Sequence, residues 1–213
     1  MRTKLTLLAL PLLFALALAG DPAVDEAILA SIDKGREAAK AGKDQEAIES
    51  LQKAIGLIQK KGMKNLATFL PARDEKTWDM GEVDTQTGNW GSGEQSFQWS
   101  QVSRRYTKKG DESGADVNVM ISNSPQLIEA QRGMVQMLKD PAMRAMMQQG
   151  EQKIEFIEEG GWLGMITAEG DGCNAMIFHT KIMVQIQVSQ GNADLAKEFW
   201  KAVDKDGLAA AQK

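Results

Sequence analysis

Between residues 154 and 188, four short strand-like segments follow one another with almost nothing between them. Ile154 to Glu158 and Trp162 to Ala168 are joined at Gly160-Gly161. Asn174 to Thr180 follows a turn at Gly170-Asp171-Gly172, and Ile182 to Val188 follows a tight reversal at Lys181. A parallel pair needs a crossover of a dozen residues or more, so connections this short force an antiparallel meander. Whatever else the chain forms must be built around that sheet.

Upstream, Ala115, Val117, Val119 and Ile121 alternate with Asp116, Asn118 and Met120, the pattern of a half-buried strand. Phe97 to Tyr106 has strand composition. Phe97 and Trp99 fall on one face and Val102 and Tyr106 on a shifted register, which predicts a bulge. Ser124-Pro125 reads as a cap followed by proline at the first helical position, with Leu127, Ile128, Gln131, Met134, Val135 and Leu138 periodic behind it. Asp140-Pro141 ends that helix and starts another carrying Met143, Met146 and Met147. Asn192 caps a last helix with Leu195, Phe199, Ala202 and Val203 on one face. Leu70-Pro71-Ala72-Arg73-Asp74 reads as a hinge, and from there to Gly93 the chain is polar and glycine-rich. The expectation for 70–213 is an α+β sandwich domain: an antiparallel sheet of about six strands with helices packed on it.

The N-terminal end reads as an export signal. Arg2 and Lys4 precede an apolar block over residues 5 to 19, and Ala17-Leu18-Ala19 has the small-x-small pattern that predicts cleavage after Ala19. The block is shorter than the roughly 20 apolar residues a membrane span needs, and Pro11 lies inside it. Residues 1–19 are therefore expected to be a signal peptide, leaving no transmembrane anchor and a periplasmic or secreted location. Losing Arg2 and Lys4 takes the net charge from −4 to −6. So acidic a chain lacks the basic footprint of sequence-independent nucleic-acid binding.

Residues 20–69 read as a helical hairpin and linker, with helices at 22–41 and 44–61. Val24, Ala27, Ile28 and Ile32 recur at helical spacing, then Ala47, Ile48, Leu51, Ala54, Ile55 and Ile58 do so again. Lys60-Lys61-Gly62 is expected to stop the second helix. With small Gly35 where the helices must approach, Gly42 in the turn, and Ala47, Leu51 and Ala54 on the second helix, the hairpin resembles a single tetratricopeptide repeat. It departs from that pattern at Gln59 and Ser31, and no second copy follows. The element order of the main domain resembles the PsbP/Mog1 sandwich. The stretch from Leu70-Pro71-Ala72 through Ser103-Arg104-Arg105-Tyr106 to Asn123-Ser124-Pro125 resembles a family of uncharacterised secreted bacterial proteins. Neither resemblance implies an activity, because one fold hosts many functions.

The inventory of reactive residues is short. One cysteine, Cys173, cannot make an internal disulfide, and one histidine, His179, cannot build a multi-imidazole zinc site. His179 falls in strand register with Ala175 and Ile177, and no Gly-x-Ser-x-Gly elbow accompanies it. Gly88-Asn-Trp-Gly-Ser-Gly93 leads into a strand instead of a helix, so it reads as a loop or turn and not as a phosphate cradle. Met134, Met137, Met143 and Met146 stand in i, i+3 pairs, and their thioethers could hold Cu(I), though methionine more often fills gaps in a core. Trp90 could stack on a sugar ring or enter a partner. Arg104 and Arg105 begin the densest basic run but point to opposite faces of a strand.

The resulting expectation is an exported, soluble, non-enzymatic binding or assembly protein of the cell envelope. It needs no cofactor, and its partner is a protein or another envelope component. The alternatives are a periplasmic copper-binding protein using the methionine helices and a hydrolase whose site has no recognisable motif.

Overall fold

The computed structural model describes residues 22–90, 97–110, 114–147 and 153–211. The expected leader, with its predicted cleavage position after Ala19, lies outside them. The chain divides into two compact units that part between Gly62 and Met63. Among the described residues, no helix is long and apolar enough to cross a membrane.

The first unit is a helical pair, α1 (Pro22–Lys40) and α2 (Asp44–Ala67), the last turn of α2 belonging to the second unit. Small residues make the seam between the helices. Ser31, Ala38, Ala47, Ser50 and Ala54 are buried there with Ile28. Gly35 is obligatory at the crossing, because a Cβ on it would come within 3.0 Å of Leu51 Cγ. Lys61 pairs with Asp25, tying the far part of α2 to the start of α1. Lys60-Lys61-Gly62 does not stop α2, contrary to expectation. Met63 and Leu66 are buried in the core of the second unit, and that burial outweighs the roughly 1 kcal/mol helical penalty of Gly62.

The second unit is an antiparallel sheet with helices, as the connections required, but among the described residues it has eight strands where about six were expected. They are β1 (Trp78–Met80), β2 (Asp84–Trp90), β3 (Phe97–Lys108), β4 (Asp116–Ser122), β5 (Lys153–Glu159), β6 (Trp162–Glu169), β7 (Gly172–His179) and β8 (Ile182–Ser189). The order across the sheet is β1-β3-β4-β8-β7-β6-β5, with β2 also paired to β3. The two unforeseen strands lie in the polar stretch after the hinge. Asp84 to Thr87 of β2 are exposed, so no apolar alternation marks that strand, and its backbone ladder to β3 holds it in place.

Three two-residue connections close the meander: Gly160-Gly161, Gly170-Asp171 and Thr180-Lys181. Gly160 and Gly161 have φ of 55° and 83°, the left-handed pair that a tight hairpin with right-handed strand twist requires. The expected bulge in β3 is absent. Residues 97–103 pair with 90–84 and residues 101–107 with 122–116 in unbroken register. Trp99 and Val102 belong to the two faces of one regular strand, and both faces carry large side chains.

One face is largely apolar at its centre, with Arg104 of β3 set among its aliphatic side chains. Val102 and Tyr106 of β3, Val117, Val119 and Ile121 of β4, and Val184, Ile186 and Val188 of β8 are buried there. Helices α5 (Ala193–Ala202) and α6 (Lys205–Ala210) cover it with Ala196, Phe199, Trp200 and Leu208. Asn192 caps α5 as expected, its side chain accepting from the backbone N–H of Asp194 and Leu195. The other face is only partly covered, by α3 (Pro125–Leu138) and the short α4 (Pro141–Met147). Ser124 occupies the cap position of α3 with extended backbone, but its side chain makes no cap bond.

Candidate functional site

The two faces of the sheet differ because their cross-strand rows differ. On the face that α3 partly covers, Gln101, Ser122, Met183, Phe178 and Leu163 form one row from β3 to β6. Its apolar half lies under Ile128, Val135 and Leu138 of α3. The next row runs Ser103, Met120, Gln185, Met176 and Met165. The third is polar throughout: Arg105, Asn118, Gln187, Asn174 and Thr167. Polarity thus rises along the strands away from α3 and laterally toward β2.

Neutral amides dominate the open part. Gln185 donates to Asn174 Oδ1 at 2.9 Å, and Gln101 donates to Gln86 Oε1 at 3.1 Å. Gln86 in turn donates to Asp84 Oδ2 at 2.8 Å. Each amide offers both donors and acceptors, so this part of the face can meet a partner group of either kind. Two buried acceptors, Asp116 Oδ1 and Gln131 Oε1 of α3, have no protein partner. The charges on the face largely offset one another. Arg105, exposed, pairs with Asp116, whose carboxylate holds the guanidinium proton more tightly than usual by hydrogen bond and charge.

Trp99 supplies the flat surface beside these amides. It pairs with Gly88 of β2, and its indole lies across that glycine. A Cβ at Gly88 would stand 2.6 Å from the ring atoms Cε2, Cζ2 and Nε1. The ring stays partly exposed. Sequence reasoning missed Trp99 as a site residue. The glycine that admits the ring is 11 positions away, and only the β2–β3 register brings the two together.

The residues singled out from the sequence are dispersed. Trp90 is the last residue of β2, paired with Phe97, and its side chain lies outside the described residues. Arg104 and Arg105 fall on opposite faces. Arg104 lies on the covered face, where its charge favours the ionised Tyr106 phenol against the burial that opposes it, while its Nε has no partner. Met134 packs against the sheet with Met120, Met165, Met176 and Met183, a methionine-rich layer under α3. Met137 and Met146 are exposed, and Met143 is half-buried.

His179 ends β7 on the covered face, its ring 4.9 Å from that of Trp162 at a tilt of 40°. The Cys173 thiol is buried and donates to the Asn192 carbonyl at 3.3 Å, and burial pushes its pKa up. It is not placed for an intermolecular disulfide. One depression, about 830 Å³ and widely open, has Lys108, Asp171, Asn192, Asp194 and Glu198 around it. Two of its three carboxylates are engaged by cations, Glu198 with Arg73 and Asp194 with Lys197. Among the described residues, no three His, Cys, Asp or Glu side chains gather as a metal site. No protein-family model matches the chain, and no curated protein or solved structure matches it significantly.

Proposed function

We propose that the chain is an exported, non-enzymatic binding protein of the cell envelope, and that the open face of its sheet holds a neutral, polyhydroxylated polymer such as an envelope glycan. The observation that carries this reading is Trp99 lying on Gly88 beside the Gln86–Gln101 amide pair. A sugar ring presents a face of C–H bonds and a rim of hydroxyls. The negative face of an indole suits the first, and amides that both donate and accept suit the second. The net charge of −4, or −6 without the leader, disfavours anionic polymers. The N-terminal leader pattern supports a periplasmic or secreted location, where such polymers are found.

Co-sedimentation with insoluble neutral and anionic polysaccharides tests the reading. Retention on a neutral polymer that is unchanged by added salt is the expected result, because uncharged contacts are not screened. Retention only on anionic polymers, or on none, would remove it.

A further inference from the structure

The helical pair buries its small residues and exposes its large ones. Its seam is made of serine, alanine and glycine with one isoleucine, while Leu29 (62% exposed), Ile32 (39%), Ile48 (49%), Leu51 (43%), Ile55 (41%) and Ile58 (50%) face outward. At 3.6 residues per turn, Ile48, Leu51, Ile55 and Ile58 form one stripe along α2 in steps of three, four and three. Leu51 lies against Gly35, so this stripe borders α1 on the side where helical phase places Ile32 and Leu29. The opposite side of the pair is a polar groove with Ser31 and Lys34 of α1 and Glu46, Ser50 and Lys53 of α2. One side of the unit is therefore largely aliphatic surface, bounded along α1 by Asp25 and Arg36, and on the order of 500 Å², at the upper end of what a monomer leaves in one patch.

We infer that this face pairs with the same face of a second copy of the chain, making a two-fold bundle of four helices. The stripe has the three-four spacing by which one helix seats its side chains between those of another. Its free flank is Gln45, Gln52 and Gln59, an uncharged lane repeating every seven residues. A contact between identical chains brings like charges together, and this lane carries none to repel. The aliphatic patch with its glutamine flank approaches the roughly 800 Å² per partner of a standard stable interface. The pairing is independent of the sheet face and of any ligand there.

Sedimentation velocity on the purified exported chain over a range of concentrations tests the pairing, together with two variant sets. The wild-type chain is expected to sediment as a dimer that dissociates on dilution. The Ile48→Gln/Ile58→Gln variant should sediment as a monomer with unchanged helical circular dichroism. Gln52→Cys, midway along the stripe and close to the two-fold axis, should give a disulfide-linked dimer on oxidation. Lys53→Cys, in the groove on the other side, should not. A monomer at every concentration would show that something else covers the face, such as the leader or another protein, and would overturn the inference. A dimer that persists in the double glutamine variant, or that crosslinks through Lys53→Cys instead, would overturn it as well.

Discussion

The hydroxyl of Tyr106 donates to the carbonyl of Pro71 at 2.8 Å, across 35 residues of chain. Both residues are buried. Around them Arg73 lies 4.4 Å from the centroid of Phe199, which packs edge-on against both Trp78 and Tyr106. The segment around Pro71 is thereby fixed to β3. Tyr106→Phe should lower unfolding stability by about 1–3 kcal/mol, since it leaves the Pro71 carbonyl buried without its donor. Chemical denaturation of both proteins measures this; a difference indistinguishable from zero would contradict it.

Because Tyr106 is the single tyrosine, its ionisation can be read directly from phenolate absorbance. Burial, opposed by the charges of Arg104 and Arg73, pushes its pKa up to about 12. An acid whose folded pKa is raised favours folding while it stays protonated in both states. That contribution is complete below the ordinary tyrosine value of about 10 and is lost as the pH rises from there toward 12. A folded-state inflection near 10 would contradict the account.

Cys173 should be silent toward thiol reagents in the native protein and react fully on unfolding. Its thiol is buried, donates to Asn192, and has a pKa raised mainly by burial, so little thiolate is present at neutral pH. Stability from the protonated thiol is present below the ordinary thiol value of about 8.5 and is lost as the pH rises above it. Rapid labelling of the folded chain at neutral pH would show that the thiol is accessible.

The central meander could be read from its connections alone, because two-residue loops leave antiparallel neighbours as the only option. The α5 cap and the opposed directions of Arg104 and Arg105 were legible for similarly local reasons. β1 and β2 were not. Asp84-Thr-Gln-Thr carries no apolar period, and what stabilises it is a ladder to residues 100–103, a relation that no local window contains. Gly62 was misread as a stop because the burial that carries α2 past it depends on tertiary packing. The candidate site failed to appear for the same reason as β2: Trp99 looks like an ordinary strand aromatic until the register sets Gly88 beneath it.

Gly88→Ala should displace the indole, since the added Cβ would overlap three of its ring atoms. The ring sits at a partly exposed edge, so the expected cost in stability is modest, about 1 kcal/mol, near the low end for overpacking. The near-ultraviolet circular dichroism should change while the far-ultraviolet spectrum does not. An unchanged aromatic signal would mean that Trp99 does not depend on Gly88.

The most direct test of the sheet-face account is affinity electrophoresis in gels containing a neutral polysaccharide retained by the wild-type chain, run beside Trp99→Ala and Gln101→Ala. The account predicts that Trp99→Ala migrates as if no polymer were present, that Gln101→Ala is retarded less than wild type, and that both keep wild-type circular dichroism. Undiminished retardation of Trp99→Ala would place the binding surface elsewhere and contradict the account.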